Sequence, residues 1–269
     1  TMTGNSLATG IGSETFTLSG FGSGTNASAT PYADNLALTA GAGTSASNYT
    51  ISYTNGGLTI NKANAYVIIG SGQSSTYGST PTINYSYYSN AAGSGGSAIA
   101  TPSGLTGTAT ITNAPSATSN ATTYSLSYAS GLSSTNYTLN AATSAVSYVV
   151  NPAALLLTGA NNTVTYNGSA QTNTGASATV NGNAVTISGS TLSTGIGSQT
   201  FTLSGYGSGT NASATAYVDN LALTADAGTT ASNYTISYTN GGLTINKANA
   251  YVIIGSGQSS TYSATPAVN

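Results

Sequence analysis

The sequence predicts an all-β protein, organised as a tandem array of small antiparallel immunoglobulin-like β-sandwich domains. Three observations predict it. Short segments alternate apolar and polar residues and end at Asn-Gly or similar turns, which is typical of strands and hairpins. Ser, Thr, Asn and Gly dominate, and these residues are poor helix formers. The sequence also repeats at a domain-sized period, and about seven short strands in about 92 residues match an immunoglobulin-like sandwich.

The repeat is visible by direct alignment. Residues 7–84 align without gaps on residues 192–269, an offset of 192 − 7 = 185, and 67 of the 78 positions are identical. Asn48–Ile69 returns letter for letter as Asn233–Ile254, and a weaker version covers Thr135–Asn140 and Val146–Leu157. The offset of 185 residues divides into two halves of about 92 residues. Each half has the size of a small domain.

We therefore predict four repeats: the back part of repeat 1 (1–62), complete repeat 2 (63–152), complete repeat 3 (153–247) and the front part of repeat 4 (248–269). The short junctions between them should limit flexing. Because the sequence starts and stops within a repeat, we expect it to come from the interior of a longer protein.

Strands are predicted along both complete repeats. In repeat 3 they are Ala153–Leu157, Val164–Tyr166, a hairpin from Ala178 to Ile187 around Asn181-Gly182, Thr200–Ser204, Asn220–Thr224, and Tyr234–Tyr238 and Leu243–Ile245 on either side of Asn240-Gly241. In repeat 2 they include Thr108–Thr112, Tyr124–Tyr128 and Tyr148–Val150. A parallel β-helix is the alternative fold, but it should show self-similarity at roughly 20–30 residues, and the period here is that of a domain.

Composition excludes several partners. The chain has two Lys, no Arg, no His, three Asp, one Glu and no Cys, so 2% of its residues are charged against about 25% in ordinary domains. Two cations cannot neutralise a phosphate backbone, so nucleic acid is not an expected partner. No apolar run approaches the ~18 residues of a membrane helix, no signal peptide is visible, and disulfides are impossible.

Catalysis is not expected. General acid–base chemistry needs a His or a positioned carboxylate, and two of the acids, Glu14 and Asp226, face Gln199 and Gly41 in the other copy. A calcium site needs several converging oxygens, whereas Asp34 and its counterpart Asp219 are isolated acids. We expect no enzyme activity, no cofactor and no metal.

Two sets of residues remain as candidate sites. Lys62 and Lys247 occupy the same repeat position, as do Asp34 and Asp219. They are either solvated charges and surface salt bridges, or the lysines form an isopeptide cross-link to Asn or Asp. The second set is a local tyrosine cluster, Tyr85, Tyr87 and Tyr88, which is either structural or a surface contact for a ligand.

Three short motifs carry a family resemblance: Leu243-Thr-Ile-Asn-Lys-Ala, Tyr166-Asn-Gly and Ser232-Asn-Tyr-Thr-Ile. They resemble the MBG and YDG repeats of very large bacterial surface proteins of the filamentous-haemagglutinin-like class, with Tyr-Asn-Gly in place of Tyr-Asp-Gly. The resemblance implies a secreted, cell-surface stalk, adhesin or biofilm-matrix protein with no catalytic residues. The alternative function is a module that binds carbohydrate or a host surface, with glycans as partners.

Self-association is the last expectation. Soluble β proteins guard their sheet edges with Lys, Pro or bulges, yet this chain has two Lys and six Pro. A net charge of −2 gives little long-range repulsion. We therefore expect other copies of the same chain as partners, joined edge to edge or by one chain completing the partial repeat of another.

Overall fold

A computed structural model describes residues 1–266, and over that range the protein is all-β. The only other regular elements there are two three-residue 3-10 turns, η1 (Ala46–Asn48) and η2 (Ala231–Asn233). This confirms the predicted class. The last three residues of predicted repeat 4 lie outside the described residues.

The strands of residues 1–152 have these bounds: β1 (Met2–Thr3), β2 (Ser6–Ala8), β3 (Thr15–Ser19), β4 (Ser28–Ala33), β5 (Ala37–Ala40), β6 (Gly57–Ile60), β7 (Ala63–Ile69), β8 (Ser74–Thr76), β9 (Tyr85–Tyr88), β10 (Ala98–Ile99), β11 (Thr106–Thr112), β12 (Thr123–Ser133), β13 (Tyr137–Ala141) and β14 (Val146–Asn151).

The strands of residues 153–247 have these bounds: β15 (Ala153–Gly159), β16 (Asn161–Thr165), β17 (Gln171–Thr172), β18 (Ala176–Val180), β19 (Asn183–Ser188), β20 (Thr191–Ser193), β21 (Thr200–Ser204), β22 (Ser208–Gly209), β23 (Ser213–Val218), β24 (Ala222–Ala225), β25 (Tyr234–Thr239) and β26 (Gly242–Asn246). Strands β7 and β15 thus begin at the residues predicted to open repeats 2 and 3.

The chain forms two compact units. Unit 1 comprises residues 1–75, 81–116 and 123–149. Its sheets have the strand orders β1-β2-β3-β5, β10-β9-β7-β13 and β4-β6, and it holds most of the sheet β11-β12-β14-β8. The buried core of repeat 2 within it includes Ala65, Val67, Leu126 and Tyr148.

Unit 2 comprises residues 76–80, 117–122 and the described residues from 150 onward. It contains a seven-stranded sheet, β24-β21-β20-β19-β18-β15-β25, a three-stranded sheet, β16-β26-β23, and the pair β17-β22. The larger sheet buries Leu155, Leu157, Leu192 and Phe201, while the smaller one buries Leu243 and Ile245. Alternation along β15 explains the burial: Ala153, Leu155 and Leu157 face the core and the residues between them are exposed.

One predicted hairpin is confirmed. Strands β18 and β19 pair antiparallel with Val180 opposite Asn183, so the loop is Asn181-Gly182. Both loop residues have positive φ, 50° and 79°, as a type I′ turn requires.

The same signal at Asn240-Gly241 does not make a hairpin, because β25 and β26 belong to different sheets. A Cβ on Gly241 would lie 2.2 Å from the carbonyl oxygen of Ala160. Glycine is therefore used there for close backbone approach, and the chain crosses between sheets instead of turning back.

Parallel pairs join distant parts of each complete repeat. Among the described pairs, β7 runs parallel to β13, β15 to β25, and β16 to β26. The first strand of repeat 2 and the first strand of repeat 3 are thus each held by a strand near the end of the same repeat. Purely antiparallel pairing was expected, so these pairs are a departure from the prediction.

Candidate functional site

The feature that recurs along this chain is a polar seam built around an asparagine. In unit 1, the side-chain oxygen of Asn136 accepts a 2.7 Å hydrogen bond from the backbone amide of Ala27. Its Nδ2 donates to Oδ1 of Asn26 at 3.0 Å and to the hydroxyl of Ser103 at 3.3 Å. One side chain therefore ties a loop of repeat 1 to the final third of repeat 2.

The same seam forms in unit 2 with different residues. Oδ1 of Asn233 accepts a 2.7 Å hydrogen bond from the amide of Ala121, and its Nδ2 donates to Oδ1 of Asn120 at 3.0 Å. Asn233 is fully buried. Each seam therefore joins the Asn of an Asn-Tyr-Thr motif to an Asn-Ala pair about 110 residues earlier in the chain.

Each seam asparagine leads directly into a parallel strand pair. Tyr137 follows Asn136 and lies opposite Ala63, with Leu139 opposite Ala65. Tyr234 follows Asn233 and lies opposite Ala153, with Ile236 opposite Leu155. The seam thus has two parts. One is the asparagine clasp, the hydrogen bonds of Asn136 or Asn233 to an Asn-Ala pair of the preceding repeat. The other is the parallel pairing of the strand after that asparagine with the first strand of its own repeat.

A cluster of aromatic rings adjoins the clasp in unit 2. Tyr234 packs edge to face on Tyr77 at 5.5 Å and on Phe201 at 5.3 Å between ring centroids. Burial raises the pKa of Tyr234 to about 12, against an opposing hydrogen bond to Thr194. The ionised phenolate is disfavoured because its apolar surroundings cannot solvate the charge.

The counterpart in repeat 1 is less enclosed. Tyr49 packs edge to face on Phe16 at 5.2 Å and donates a hydrogen bond to the carboxylate of Glu14. That bond is the main cause that raises the pKa of the Tyr49 hydroxyl. Asn48, the counterpart of Asn233, is exposed.

Lys62 and Asp34, two of the predicted site residues, each form hydrogen bonds with backbone groups. Nζ of Lys62 donates to the carbonyl oxygen of Ser134 at 2.7 Å, so this lysine also takes part in the unit 1 seam. Asp34 accepts from the amides of Gly22 at 2.7 Å and Gly56 at 3.1 Å. A salt bridge or isopeptide at these positions stays a prediction.

Asp219 is the buried centre of a hydrogen-bond network. It is 2% exposed and accepts from the amides of Gly207 at 2.8 Å and Gly241 at 3.1 Å. Nδ2 of Asn173 donates to both of its oxygens, at 2.9 and 3.0 Å, and also to the carbonyl of Ala160 at 2.8 Å. The carboxylate therefore holds together four loops that lead into or out of the seven-stranded sheet.

The tyrosine cluster lies in β9, between β10 and β7. Tyr85, Tyr87 and Tyr88 are all half-buried, and the rings of Tyr85 and Tyr87 meet edge to face at 5.9 Å. Burial, followed by the neighbouring Tyr85, raises the pKa of Tyr87.

The second lysine of the predicted set, Lys247, is exposed. It borders a cavity of about 440 Å³ together with Asn211, Ala212 and Tyr166.

Within residues 1–266 no group of three or more His, Cys, Asp or Glu residues is placed to hold a metal. No helix in that range has the length and apolar character to cross a membrane. The comparisons with known proteins found no matching family model, curated protein or solved structure.

From the sequence alone, Asn136 and Asn233 had no predicted role in joining one repeat to the next. The signal was present, because the Asn-Tyr-Thr triplet recurs at Asn48, Asn136 and Asn233. In a chain rich in Asn, Ser and Thr, however, such triplets are expected to occur by chance. Its partner, an Asn-Ala pair about 110 residues away, has no local pattern to reveal it.

Proposed function

We propose that this chain is a structural repeat segment of a secreted bacterial surface protein, acting as a stalk, fibre or matrix element. The observation that carries the proposal is the recurrence of one seam, with the same atoms and distances, at Asn136 and at Asn233. A protein that joins successive repeats by one rule is suited to setting length, because any number of repeats can be linked in the same way.

In this proposal each repeat is a small immunoglobulin-like sandwich. Repeat 3 supports it with two sheets, one burying Leu155, Leu157 and Phe201 and the other burying Leu243 and Ile245. The resemblance of Leu243–Ala248 and Tyr166–Gly168 to MBG and YDG repeats supports secretion and a bacterial cell surface.

The chemistry of the seam also suits an extracellular element. The two seams consist of hydrogen bonds among amide side chains, backbone amides and the hydroxyl of Ser103, together with parallel strand pairing, and the charged Lys62 donates to an uncharged backbone carbonyl. No ion pair is needed, so screening by salt should leave them intact. The same neutrality leaves sheet edges with little charge to prevent association with other copies.

Sedimentation velocity of the purified chain tests the self-association. We expect assemblies that grow with protein concentration and persist from about 0.05 to about 1 M NaCl, where the Debye length falls from about 14 Å to about 3 Å. A stable monomer at high concentration, or assemblies that dissolve as salt rises, would contradict the proposal.

A glycan array separates this function from the binding of sugars. We expect no binding, since Tyr85, Tyr87 and Tyr88 are half-buried in a strand with neighbours on both sides. Saturable binding that is lost on Tyr87→Ala, with the fold retained, would favour a carbohydrate-binding module instead.

A further inference from the structure

One parallel strand pairing runs through repeat 3 and passes from one sheet into the next. Six residues of β15 pair with β25, beginning with Ala153 opposite Tyr234. Five residues of β16 pair with β26, ending with Thr165 opposite Asn246. The offset is the same in both, because 234 − 153 and 246 − 165 both equal 81. The stretches from Ala153 to Thr165 and from Tyr234 to Asn246 therefore form one ladder in a single register, the long ladder.

Glycines and a buried carboxylate keep the long ladder bonded where it crosses between sheets. The amide of Gly242 donates to the carbonyl oxygen of Ala160 at 3.2 Å. The amide of Gly241 donates to the carboxylate of Asp219 at 3.1 Å, and its carbonyl accepts from the Asp219 amide at 3.0 Å. A Cβ on Gly159 would lie 2.4 Å from that carboxylate, so only glycine fits there. The two halves of the ladder are thus mechanically continuous.

Tension along the chain enters and leaves the long ladder at opposite ends. Ala153 directly follows repeat 2 in the sequence and begins β15, whereas Asn246 ends β26 just before Lys247. Because the two stretches are parallel, pulling Ala153 and Asn246 apart slides one stretch along the other. The hydrogen bonds of a parallel pair are evenly spaced along the strands. They therefore share the force and must break together.

The strands at both ends of the long ladder are also held from their other side. Strand β15 lies between β18 and β25, and β26 lies between β16 and β23. Their core-facing side chains are buried, namely Ala153, Leu155, Leu157, Leu243 and Ile245. Sliding either strand therefore breaks apolar contacts as well as hydrogen bonds.

We propose that the long ladder is the element that resists tension in repeat 3, so that the repeat keeps its length when the chain is pulled. Its use in a stalk or fibre rests on the proposed function, whereas its resistance follows from the direction of the strands. Forced unfolding is governed by the rate at which the native state opens. A ladder whose bonds break together opens more slowly under force than one whose bonds break in turn.

Repeat 2 has a shorter version of the same arrangement. Strands β7 and β13 pair parallel over five residues, from Ala63 opposite Tyr137 to Val67 opposite Ala141. The amide of Ala63 also donates to the carbonyl oxygen of Asn136 at 3.0 Å. Since Ala63 is the first residue of this predicted repeat, tension reaches the pair in the same direction. We expect repeat 2 to unfold at a lower force than repeat 3, because fewer pairs share the force.

Pulling single molecules of the full chain in two directions tests the proposal without changing the fold. The chain has no cysteine, so two introduced cysteines, kept reduced until they are coupled, define where the handles attach. Ala154→Cys with Lys247→Cys places the handles at opposite ends of the long ladder and shears it. Ala154→Cys with Thr235→Cys places them directly opposite one another at its first end and opens it one pair at a time. All three residues are exposed.

We expect shearing to need a several-fold higher unfolding force than opening at the same loading rate. The handles are separated by 247 − 154 = 93 residues in one protein and 235 − 154 = 81 in the other. Both steps should release about 28 nm of chain, because an extended residue spans roughly 3.3–3.6 Å and the sheared ladder is already about 4 nm long. Equal forces in the two directions would overturn the proposal.

Two glycine variants separate the role of the long ladder from stability in general. Gly241→Ala places a Cβ 2.2 Å from the carbonyl oxygen of Ala160 and interrupts the ladder at its crossing. The shearing force should then fall by roughly half, because the two halves no longer break together. Gly182→Ala also lowers stability, since Gly182 has a φ of 79° in the turn between β18 and β19, but it should change the shearing force far less. An equal loss in both variants would contradict the proposal, and the comparison of pulling directions decides the question even if Gly241→Ala does not fold.

The outcomes distinguish this inference from the proposed function. If the forces are equal in both directions while sedimentation shows salt-resistant assemblies, the long ladder is not the resisting element and the self-association stands. If the forces depend on direction while the chain stays monomeric, the self-association is wrong and the role of the long ladder stands.

Discussion

Asp219→Ala and Asp34→Ala remove the same carboxylate from two nearly identical sequences, but we expect them to differ greatly in their effect on local stability. Asp219 and Asp34 occupy the same repeat position, and both accept hydrogen bonds from two backbone amides. Gly207 and Gly241, the donors to Asp219, are buried, whereas Gly22 is half-buried and Gly56 is exposed. The difference is therefore whether water can replace the lost acceptor.

The burial of the amide donors determines how much local stability each substitution removes. Asp219→Ala leaves two buried amides without an acceptor, at about 1–3 kcal/mol each, while Asn173 keeps its bond to Ala160. We expect a loss of about 4 kcal/mol in the local free energy of opening. Asp34→Ala lets water reach both amides, so we expect about 1 kcal/mol.

Native-state hydrogen exchange with mass spectrometry measures both in the full chain. Peptides from the two copies are distinguishable because Phe21 and Ala33 stand opposite Tyr206 and Val218. At 1.4 kcal/mol per factor of ten, exchange around Gly207 and Gly241 should accelerate by a factor on the order of several hundred in Asp219→Ala. Equal acceleration in the two variants, or less than about tenfold in Asp219→Ala, would refute the reasoning from burial.

Three further outcomes are expected. Leu155→Ala should lower the free energy of unfolding in denaturant by about 2–5 kcal/mol, because Leu155 is fully buried, whereas Leu156→Ala, on the exposed face of the same strand, should cost well under half of that; similar losses would show that β15 does not present one face to the core. The pKa of Tyr234, raised to about 12 by burial, means that the folded state keeps the neutral phenol, so its contribution to stability is complete below about pH 10 and is lost as the pH rises toward 12. Tyr234→Phe should remove that part of the pH dependence, as followed by tyrosinate absorbance and alkaline unfolding, and an unchanged alkaline profile would contradict the assignment. Intact mass should equal that of the sequence, because Lys62 and Asp34 have separate hydrogen-bond partners, and a loss of one water or one ammonia would instead establish an isopeptide.

Local sequence predicted most strands of repeat 3, but not where each strand pairs. The alternation in Thr200–Ser204 predicted the bounds of β21 correctly, and Asn181-Gly182 predicted the hairpin of β18 and β19, because both features depend on neighbouring residues. The parallel pairing of β15 with β25 joins residues about 80 positions apart, and no local pattern encodes such a partner.

The environment of the candidate residues was harder to predict than their identity. Asp219 and Lys62 stood out because charged residues are scarce, yet one is a buried acceptor for glycine amides and the other donates to a carbonyl. Asp34 and Asp219 also show that one residue in one motif can be half-buried or buried, depending on segments supplied from elsewhere in the chain. Sequence identity alone could not distinguish them.

The clasps at Asn136 and Asn233 have a consequence for how such a gene can change. Both use an Asn-Ala pair and an Asn-Tyr-Thr triplet, and the 78 residues of the 185-residue unit that occur twice are unchanged at 67 positions. Unequal recombination between such copies removes or adds a whole unit and leaves every new neighbour with a compatible joint. The length of the product can therefore vary between descendants in steps of one unit, without any compensating substitution at the joints.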